Sequence, residues 1–270
     1  MEFIKKHKYV FVVLVYRNID VLRFFFQSFT INDSKVIVVN SFYDNSTLNE
    51  CEVVARQNGA DFIAIPNKGY GYGNNMGTKF ALEHYDFDFL ILSNSDIIIK
   101  LFDGLDKHIE ENCVVAPKTV MKTGKYQNPD TPWELKFIYP MLSYALNHKS
   151  NTVYTLCHIC TRLSREVYKL FTSLVRKEKY KIFSAHGSFI IFTQKATKEL
   201  YPFFDEEMFL YNEEWFLALK AKQHNVPIYY VPSLEVLHLE GASSGSIEYS
   251  EQDKKSFNIL NYKRKNGLIK

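Results

Sequence analysis

Three things are scarce in this sequence: charge of one sign, long apolar runs and cysteine. Lysine and arginine total 33 against 30 aspartates and glutamates, a net charge of +3, too small a surplus to point to nucleic acid. The longest apolar run, YVFVVLVY at 9–16, falls far short of the roughly 20 residues that span a bilayer. The segment MEFIKKHK has neither the apolar stretch nor the cleavage site of a secretion signal, so a cytoplasmic protein is expected. Four cysteines in 270 residues (Cys51, Cys113, Cys157, Cys160) are too sparse for a disulfide framework. Cys157 and Cys160 have redox or zinc-like spacing, but neither a second CxxC nor a His pair accompanies them, so reduced, unligated thiols are expected. No G-K-[ST] ends a glycine loop, which excludes a Walker-type phosphate site. The turn after the first apolar run, YRNIDVL, has no glycine. That disfavours an NAD-linked oxidoreductase and a sugar-1-phosphate nucleotidyltransferase, which use a glycine-rich turn there.

What is abundant is apolar and aromatic. The chain is 46% hydrophobic, 23% charged and 16% aromatic, with 22 Phe and 18 Tyr. At 270 residues this predicts one large domain or two closely merged halves. YVFVVLVY reads as a strand buried on both faces. In NIDVLRFFFQSF, Val21, Leu22, Phe25 and Phe29 share a helical face and Asn18 or Asp20 can cap the start. KVIVVN at 35–40 is a second strand, and LNECEVVARQNGA a helix closed by Gly59. DFIAIP is a third strand, followed by the loop NKGYGYGNNMG and a helix from about 75 to 85; DFDFLILSNSD is a fourth strand with a polar tip. Strands alternating with helices predict an α/β fold with a mostly parallel, Rossmann-like sheet flanked by helices. Ligands of such sheets bind at the carboxyl ends of the strands. The polar clusters 16–18, 40–45, 67–75 and 94–96 all fall there.

The second half is less regular. WELKFIYPMLSYALNHK is interrupted by Pro140. In TRLSREVYKLFTSLVRKEKYKIF, Leu163, Val167, Leu170, Phe171, Leu174 and Val175 form an apolar stripe, with Arg162, Arg165, Lys169, Arg176 and Lys177 off it. Such a helix is either half-buried or lies on an anionic membrane surface. The tail, 246–270, is basic and helix-compatible.

Four pieces carry chemistry. The glycines at 69, 71, 73 and 77 allow backbone N–H groups to approach an anion. Asn94, Ser95 and Asp96 end a hydrophobic strand, where a carboxylate suits a hard divalent cation; the same tripeptide also makes an ordinary turn. FFDEEMFLYNEEWFLALKAK sets carboxylates among aromatic rings, which raises a pKa towards that of a general base, although acidic residues also favour a helix start. His238 ends the apolar run LEVLH and is either structural or part of a metal site.

Taken in order, YRN, VVN, NKGYGYGNNMG, SNSD, GSFII at 187–191, FDEEMFLYNEE and VLHLEGASS resemble family 2 of the inverting glycosyltransferases over most of residues 9–245. The resemblance implies a GT-A fold in a single domain, with a nucleotide-sugar-binding half at about 1–100, an acceptor and catalytic-base half at about 101–245 and the tail beyond. It places Val15, Tyr16 and Asn40 around the nucleobase and ribose. Asn67, Gly69 and Asn75 would shape the loop beside nucleotide and sugar, with Asn94 and Ser95 next to it. Asp96 and His238 would hold a divalent metal, Mn²⁺ or Mg²⁺. Glu213-Glu214 matches the acidic pair whose second member is the base. Asn40 stands where the family commonly has Asp, and Glu214 replaces the usual Asp one methylene shorter, so Glu213 remains a candidate for the base. The implied activity is transfer of a sugar from a UDP- or dTDP-sugar to a glycan, in bacterial surface polysaccharide synthesis. A lipid-linked acceptor at the inner face of the cell membrane fits the basic helix. The alternative is a non-catalytic sugar-nucleotide or glycan-binding module on the same fold.

Overall fold

A computed structural model describes residues 5–103, 105, 109–239 and 251–269. The end of VLHLEGASS, from residue 240, lies outside them. The first half is a run of βα units: β1 (Lys5–Val15), α1 (Ile19–Ser28), β2 (Ser34–Ser41), α2 (Asn45–Gln57), β3 (Asp61–Ile65), α3 (Tyr70–His84) and β4 (Tyr85–Asn94). Local sequence explains their bounds. Asn18 caps α1 by accepting from the Asp20 and Val21 N–H groups, and Asp44 caps α2 through the Thr47 N–H. Gly59 follows α2 with φ +68°, a left-handed conformation that glycine adopts without strain.

The second half contributes β5 (Ile97–Leu101), β6 (Val114–Met121), α4 (Ile138–Asn147), α5 (Asn151–Val175), β7 (Tyr180–Ile182), β8 (Phe189–Thr193), α6 (Gln194–Leu200), α7 (Glu213–Gln223), β9 (Ile228–His238) and α8 (Glu251–Lys265). Pro140 falls in the first turn of α4, where its missing N–H has no intrahelical partner to lose.

All these strands join one nine-stranded sheet in the order β3-β2-β1-β4-β8-β6-β9-β5, with β7 on β9. From β3 to β4 every pairing is parallel. Beyond β4 the sheet turns mixed: β8 runs antiparallel to β4 and β6, β9 parallel to β6, and β5 and β7 antiparallel to β9. The expected mostly parallel sheet therefore holds for the first half only. Alternating residues of β1 fill opposite faces: Val10 and Val12 in one core, Phe11 and Val13 in the other, all fully buried. A third core lies between α4, α7 and α8, centred on Tyr139, Leu219, Phe257 and Leu260. Within the basic tail, α8 is thus a helix that buries Phe257 and Leu260.

One helix is poorly covered. On α5, Leu163, Val167, Leu170 and Leu174 are between 58 and 75% exposed. Only Cys157 and Tyr168 of its 25 residues are fully buried. Among the described residues no helix is long and apolar enough to cross a membrane.

Candidate functional site

The carboxyl ends of β1 and β4 and the start of α3 enclose a cavity of about 350 Å³. Tyr16, Asn67, Gly69, Asn94, Ser95 and Asp96 line it, joined by Arg17, Ser41 and Phe209. Arg17 has φ +66° and lays its guanidinium over the rings of Tyr43 and Tyr16, 4.2 and 4.9 Å from their centroids. The two rings stand 81° apart, so the guanidinium sits in an aromatic corner of which Tyr16 and Arg17 line the cavity.

The glycine-rich stretch differs from expectation. From Tyr70 onward it is the first part of α3 rather than a loop before a helix starting near 75, and packing against other side chains accounts for three of its four glycines. A Cβ on Gly73 would meet Leu14 at 2.5 Å, one on Gly77 would meet Val12 at 2.3 Å, and one on Gly71 would meet Phe204 at 2.7 Å. Gly69 alone borders the cavity. Its φ is +106° and a Cβ there would lie 2.1 Å from the Phe209 carbonyl oxygen, which accepts from the Tyr70 N–H at 3.0 Å. The start of α3 is therefore held against residue 209 by a contact that only glycine permits.

Beyond Asn94 and Tyr70 the first cavity adjoins a second, of about 290 Å³. Here β9 brings His238 beside Asp96, with Nε2 and Oδ1 3.1 Å apart, while Gln127 Oε1 lies 2.7 Å from His238 Nδ1. A proton on Nδ1 donated to Gln127 leaves Nε2 facing the carboxylate. Adjacent ligands of an octahedral ion at about 2.1 Å lie about 3 Å apart, so the two atoms fit one divalent ion. Among the described residues no group of three or more His, Cys, Asp or Glu forms a metal set; this pair would need further ligands from substrate oxygens or water. His186 sits alongside, its ring centroid 5.9 Å from that of His238. Its Nδ1 accepts from the Ser188 N–H at 3.2 Å, which leaves the proton on Nε2. Burial, then the neighbouring His238, pushes its pKa down to about 3.

The floor of the second cavity is the start of α7. Tyr211 and Asn212 both have positive φ, 74° and 67°, and turn the chain sharply into Glu213 and Glu214. Glu213 is 3% exposed and its Oε1 has no hydrogen-bond partner. Burial first, and Glu214 second, hold its pKa well above the ordinary carboxylate range. Glu214 Oε1 accepts from the Gly187 N–H at 3.3 Å. Burial, then the Asp130 carboxylate, pushes the Glu214 pKa up to about 7. A Cβ on Gly187 would come within 2.9 Å of Glu214 Oε1 and 3.2 Å of the Tyr70 hydroxyl, so a glycine there leaves the carboxylate its place. Tyr70 in turn donates to the Gly187 carbonyl at 2.5 Å.

Behind Glu214 lies a third cavity, of about 280 Å³, between α4, α5 and α8. Asp130, His158, Arg165 and Trp215 line it, and His186, Tyr211, Asn212 and Glu214 border both it and the second cavity. Glu214 therefore stands at a junction, with one space towards the parallel strand ends and another towards the helical half.

The sequence-derived site residues divide into two sets. Tyr16, Asn67, Gly69, Asn94, Ser95, Asp96, His238, Glu213 and Glu214 line the joined first and second cavities. Val15, Asn40 and Asn75 line none of the three. Val15 is fully buried and pairs in register with Asn40. Asn40 is 2% exposed, hydrogen-bonds Cys51 and leaves its Oδ1 without a partner. Asn75 brackets the acidic segment: its Oδ1 accepts from the Phe203 and Phe204 N–H groups, and its Nδ2 donates to the Phe204 carbonyl and Glu206. Arg17, Gln127, Asp130 and His186 escaped sequence reasoning. His186 directly precedes the GSFII strand and was open to notice. Gln127 and Asp130 sit in an irregular stretch with no local signal. Cys157 and Cys160 are free thiols one turn apart on α5.

No known protein-family model matches the sequence, and no curated protein matches it. Among solved structures, the fold is similar to that of GalNAc-T7 in a crystal with UDP, GalNAc and Mn²⁺, at 13% identity and a TM-score of 0.57. The match covers 89% of this chain and 46% of that one, so the chain spans about half of that protein's length. S. aureus TarS matches at 16% identity and a TM-score of 0.48, over 83% of this chain and 36% of that one. The architecture is the GT-A fold.

Proposed function

We propose that the protein is a metal-dependent inverting glycosyltransferase that moves a sugar from a UDP- or dTDP-sugar to a glycan hydroxyl. The observation that carries this reading is Glu214. It is a carboxyl group with a pKa of about 7, at the boundary between the cavity at the parallel strand ends and the one among the helices. A base with a pKa near the working pH combines a useful ionised fraction with proton affinity.

In this reading the nucleotide lies in the first cavity, with Tyr16 and Arg17 against the base and Asn67 and Gly69 beside the ribose and sugar. Asp96 and His238 would hold Mn²⁺ or Mg²⁺, which when bound neutralises the diphosphate as it leaves. His186 borders the same cavity, and its Nε2–H is the donor left for a phosphate oxygen. The acceptor enters from the third cavity. Glu214 takes the proton of its hydroxyl as that oxygen attacks the anomeric carbon on the face opposite the diphosphate. One in-line displacement inverts the anomeric centre and needs no protein nucleophile. Glu213 borders the second cavity only, whereas Glu214 also borders the third, from which the acceptor comes. This leaves Glu214 as the base.

The exposed apolar stripe of α5, with Arg162, Lys169 and Arg176 beside it, supports peripheral contact with an anionic membrane and a lipid-linked glycan acceptor. This fits a cytoplasmic enzyme of bacterial surface polysaccharide or capsule synthesis.

The deciding experiment measures donor binding and nucleoside diphosphate release over a panel of UDP- and dTDP-sugars with Mn²⁺, Mg²⁺ or EDTA, for wild type, Asp96→Ala and Glu214→Gln. The expected result is metal-dependent release from one donor, lost in both variants. Metal-dependent binding without turnover on any glycan acceptor would instead favour a binding module. No binding to any sugar nucleotide would overturn the assignment of the first cavity.

A further inference from the structure

Residues 203–214, irregular up to Asn212 and then the start of α7, carry Phe209 to the first cavity and Glu213-Glu214 to the second. Helix α8 contacts this segment at three successive places. Lys263 pairs with Asp205 and, at 3.3 Å, with Glu207. The Ser256 hydroxyl donates to the Leu210 carbonyl at 2.7 Å. Asp253 accepts from the Asn212 side-chain amide at 2.7 Å through Oδ1, and from the Tyr154 hydroxyl of α5 at 2.6 Å through Oδ2. Beneath these polar contacts Phe257 and Leu260 are fully buried in a cluster with Met208 and Phe216.

The Asp253 contact is unusual for the residue it holds. Asparagine at a helix N-cap ordinarily turns its side chain onto the first free N–H groups, which stabilises the helix by about 1 kcal/mol. Asn212 is the N-cap of α7, yet it makes no side-chain cap bond and has φ +67°. Its amide is directed to Asp253 instead. The local preference is thus given up for a tertiary one, at the residue that decides where α7 begins and where Glu214 points.

We propose that α8 is a clamp on the 203–214 segment and that Asp253 is a positioning residue for the catalytic base, acting through Asn212. The role assigned to the base rests on the transferase reading above; the clamp itself does not. Asp253 lies on the wall of the third cavity and reaches the base through Asn212 rather than by a hydrogen bond of its own. It fixes Asn212 in the left-handed conformation that carries the chain into α7, and it ties that point to α5 through Tyr154. The base is thereby referenced to α5 and α8, two of the three helices that wall the third cavity.

The test compares Asp253→Ala, Asp253→Asn and Tyr154→Phe with wild type by steady-state transfer kinetics and by amide hydrogen exchange. In Asp253→Ala, kcat should fall about tenfold or more, as for a base displaced by a fraction of an ångström, with donor KM within about twofold. Exchange across 209–214 should quicken while β1 and β4 keep their protection. Asp253→Asn still accepts the Tyr154 hydroxyl but turns an amide towards that of Asn212, so it should fall between wild type and Asp253→Ala. Tyr154→Phe removes one hydroxyl, leaves the Asn212 contact and should cost less than Asp253→Ala. A wild-type kcat in Asp253→Ala would overturn the positioning role. Equal loss of protection throughout the sheet would reduce Asp253 to a general stability contact and overturn the clamp. The exchange comparison needs no acceptor: if wild type transferred no sugar the reading of Glu214 would fail, yet unchanged exchange at 209–214 would still be required to overturn the clamp.

Discussion

The two halves of the molecule build their parts of the site by different means. In β1–β4 every strand is parallel, so the polar residues that end the strands meet on one edge through topology alone. Tyr16, Asn67 and Asn94 need only be at strand ends to converge. In the second half the reacting groups are placed by single contacts across long sequence separations. Gly187 meets Glu214 27 residues away, Tyr70 meets Gly187 across 117, and Asn75 meets the Phe204 carbonyl across 129. A binding pocket of the first kind tolerates variation at each tip. A catalytic centre of the second kind depends on every tether, and changes there should separate chemistry from binding.

The largest expected effect sharpens that separation. Glu214→Gln should lower sugar transfer by about a thousandfold, as for loss of a general base, while nucleotide binding changes little. In wild type the carboxylate must be ionised, so transfer should rise with pH through about 7 and fall away on the acid side. A flat rate from about pH 6 to pH 8, under conditions where chemistry limits turnover, would remove Glu214 from the role.

Next comes a tether between the halves. Asn75→Ala leaves the buried N–H groups of Phe203 and Phe204 without their acceptor and should cost about 2 kcal/mol in denaturant unfolding. If it abolished nucleotide binding without destabilising the chain, Asn75 would belong to the pocket and the contrast between the halves would blur.

Glu213 gives a smaller effect whose sign depends on pH. Its folded pKa lies above its unfolded value, so the folded state holds the proton more tightly. Stability therefore declines as pH rises from the unfolded value towards the folded one. Glu213→Gln removes that decline. Its melting temperature should exceed that of wild type by a few degrees at about pH 8 and match it near pH 4. Equal melting temperatures at both pH values would show that the side chain is ionised without cost.

The smallest effect on the fold is expected at α5. Leu163→Gln with Leu170→Gln should change unfolding free energy by less than about 0.5 kcal/mol per site, because both side chains are already in solvent. The same pair should weaken partition onto anionic vesicles. Unchanged partition would detach the stripe from membrane contact.

Much of the first half was legible because its signals are local. Continuous apolar runs identified β1, β2 and β4, Asn18 or Asp20 marked the start of α1 and Gly59 the end of α2. The glycine stretch misled in part, since glycine signals close approach without saying to what. At Gly71, Gly73 and Gly77 the partner is a side chain of the protein itself. Asp96 at the end of the first half, and His238 and the Glu213-Glu214 pair in the second, stood out in sequence, but Gln127 and Asp130 had no periodicity to reveal them.

The sequence by itself determined the alternation of strands and helices, and hence the edge on which polar tips gather, because hydrophobic periodicity and capping act within a few residues. Tertiary structure decided the rest. It made the sheet mixed beyond β4 and paired Asp96 with His238. It directed Asn212 to Asp253 rather than to its own helix, and set Glu214 between two cavities at a raised pKa. Those outcomes depend on desolvation and on hydrogen bonds between residues distant in the chain, whose strength is fixed only once the surrounding groups exclude water.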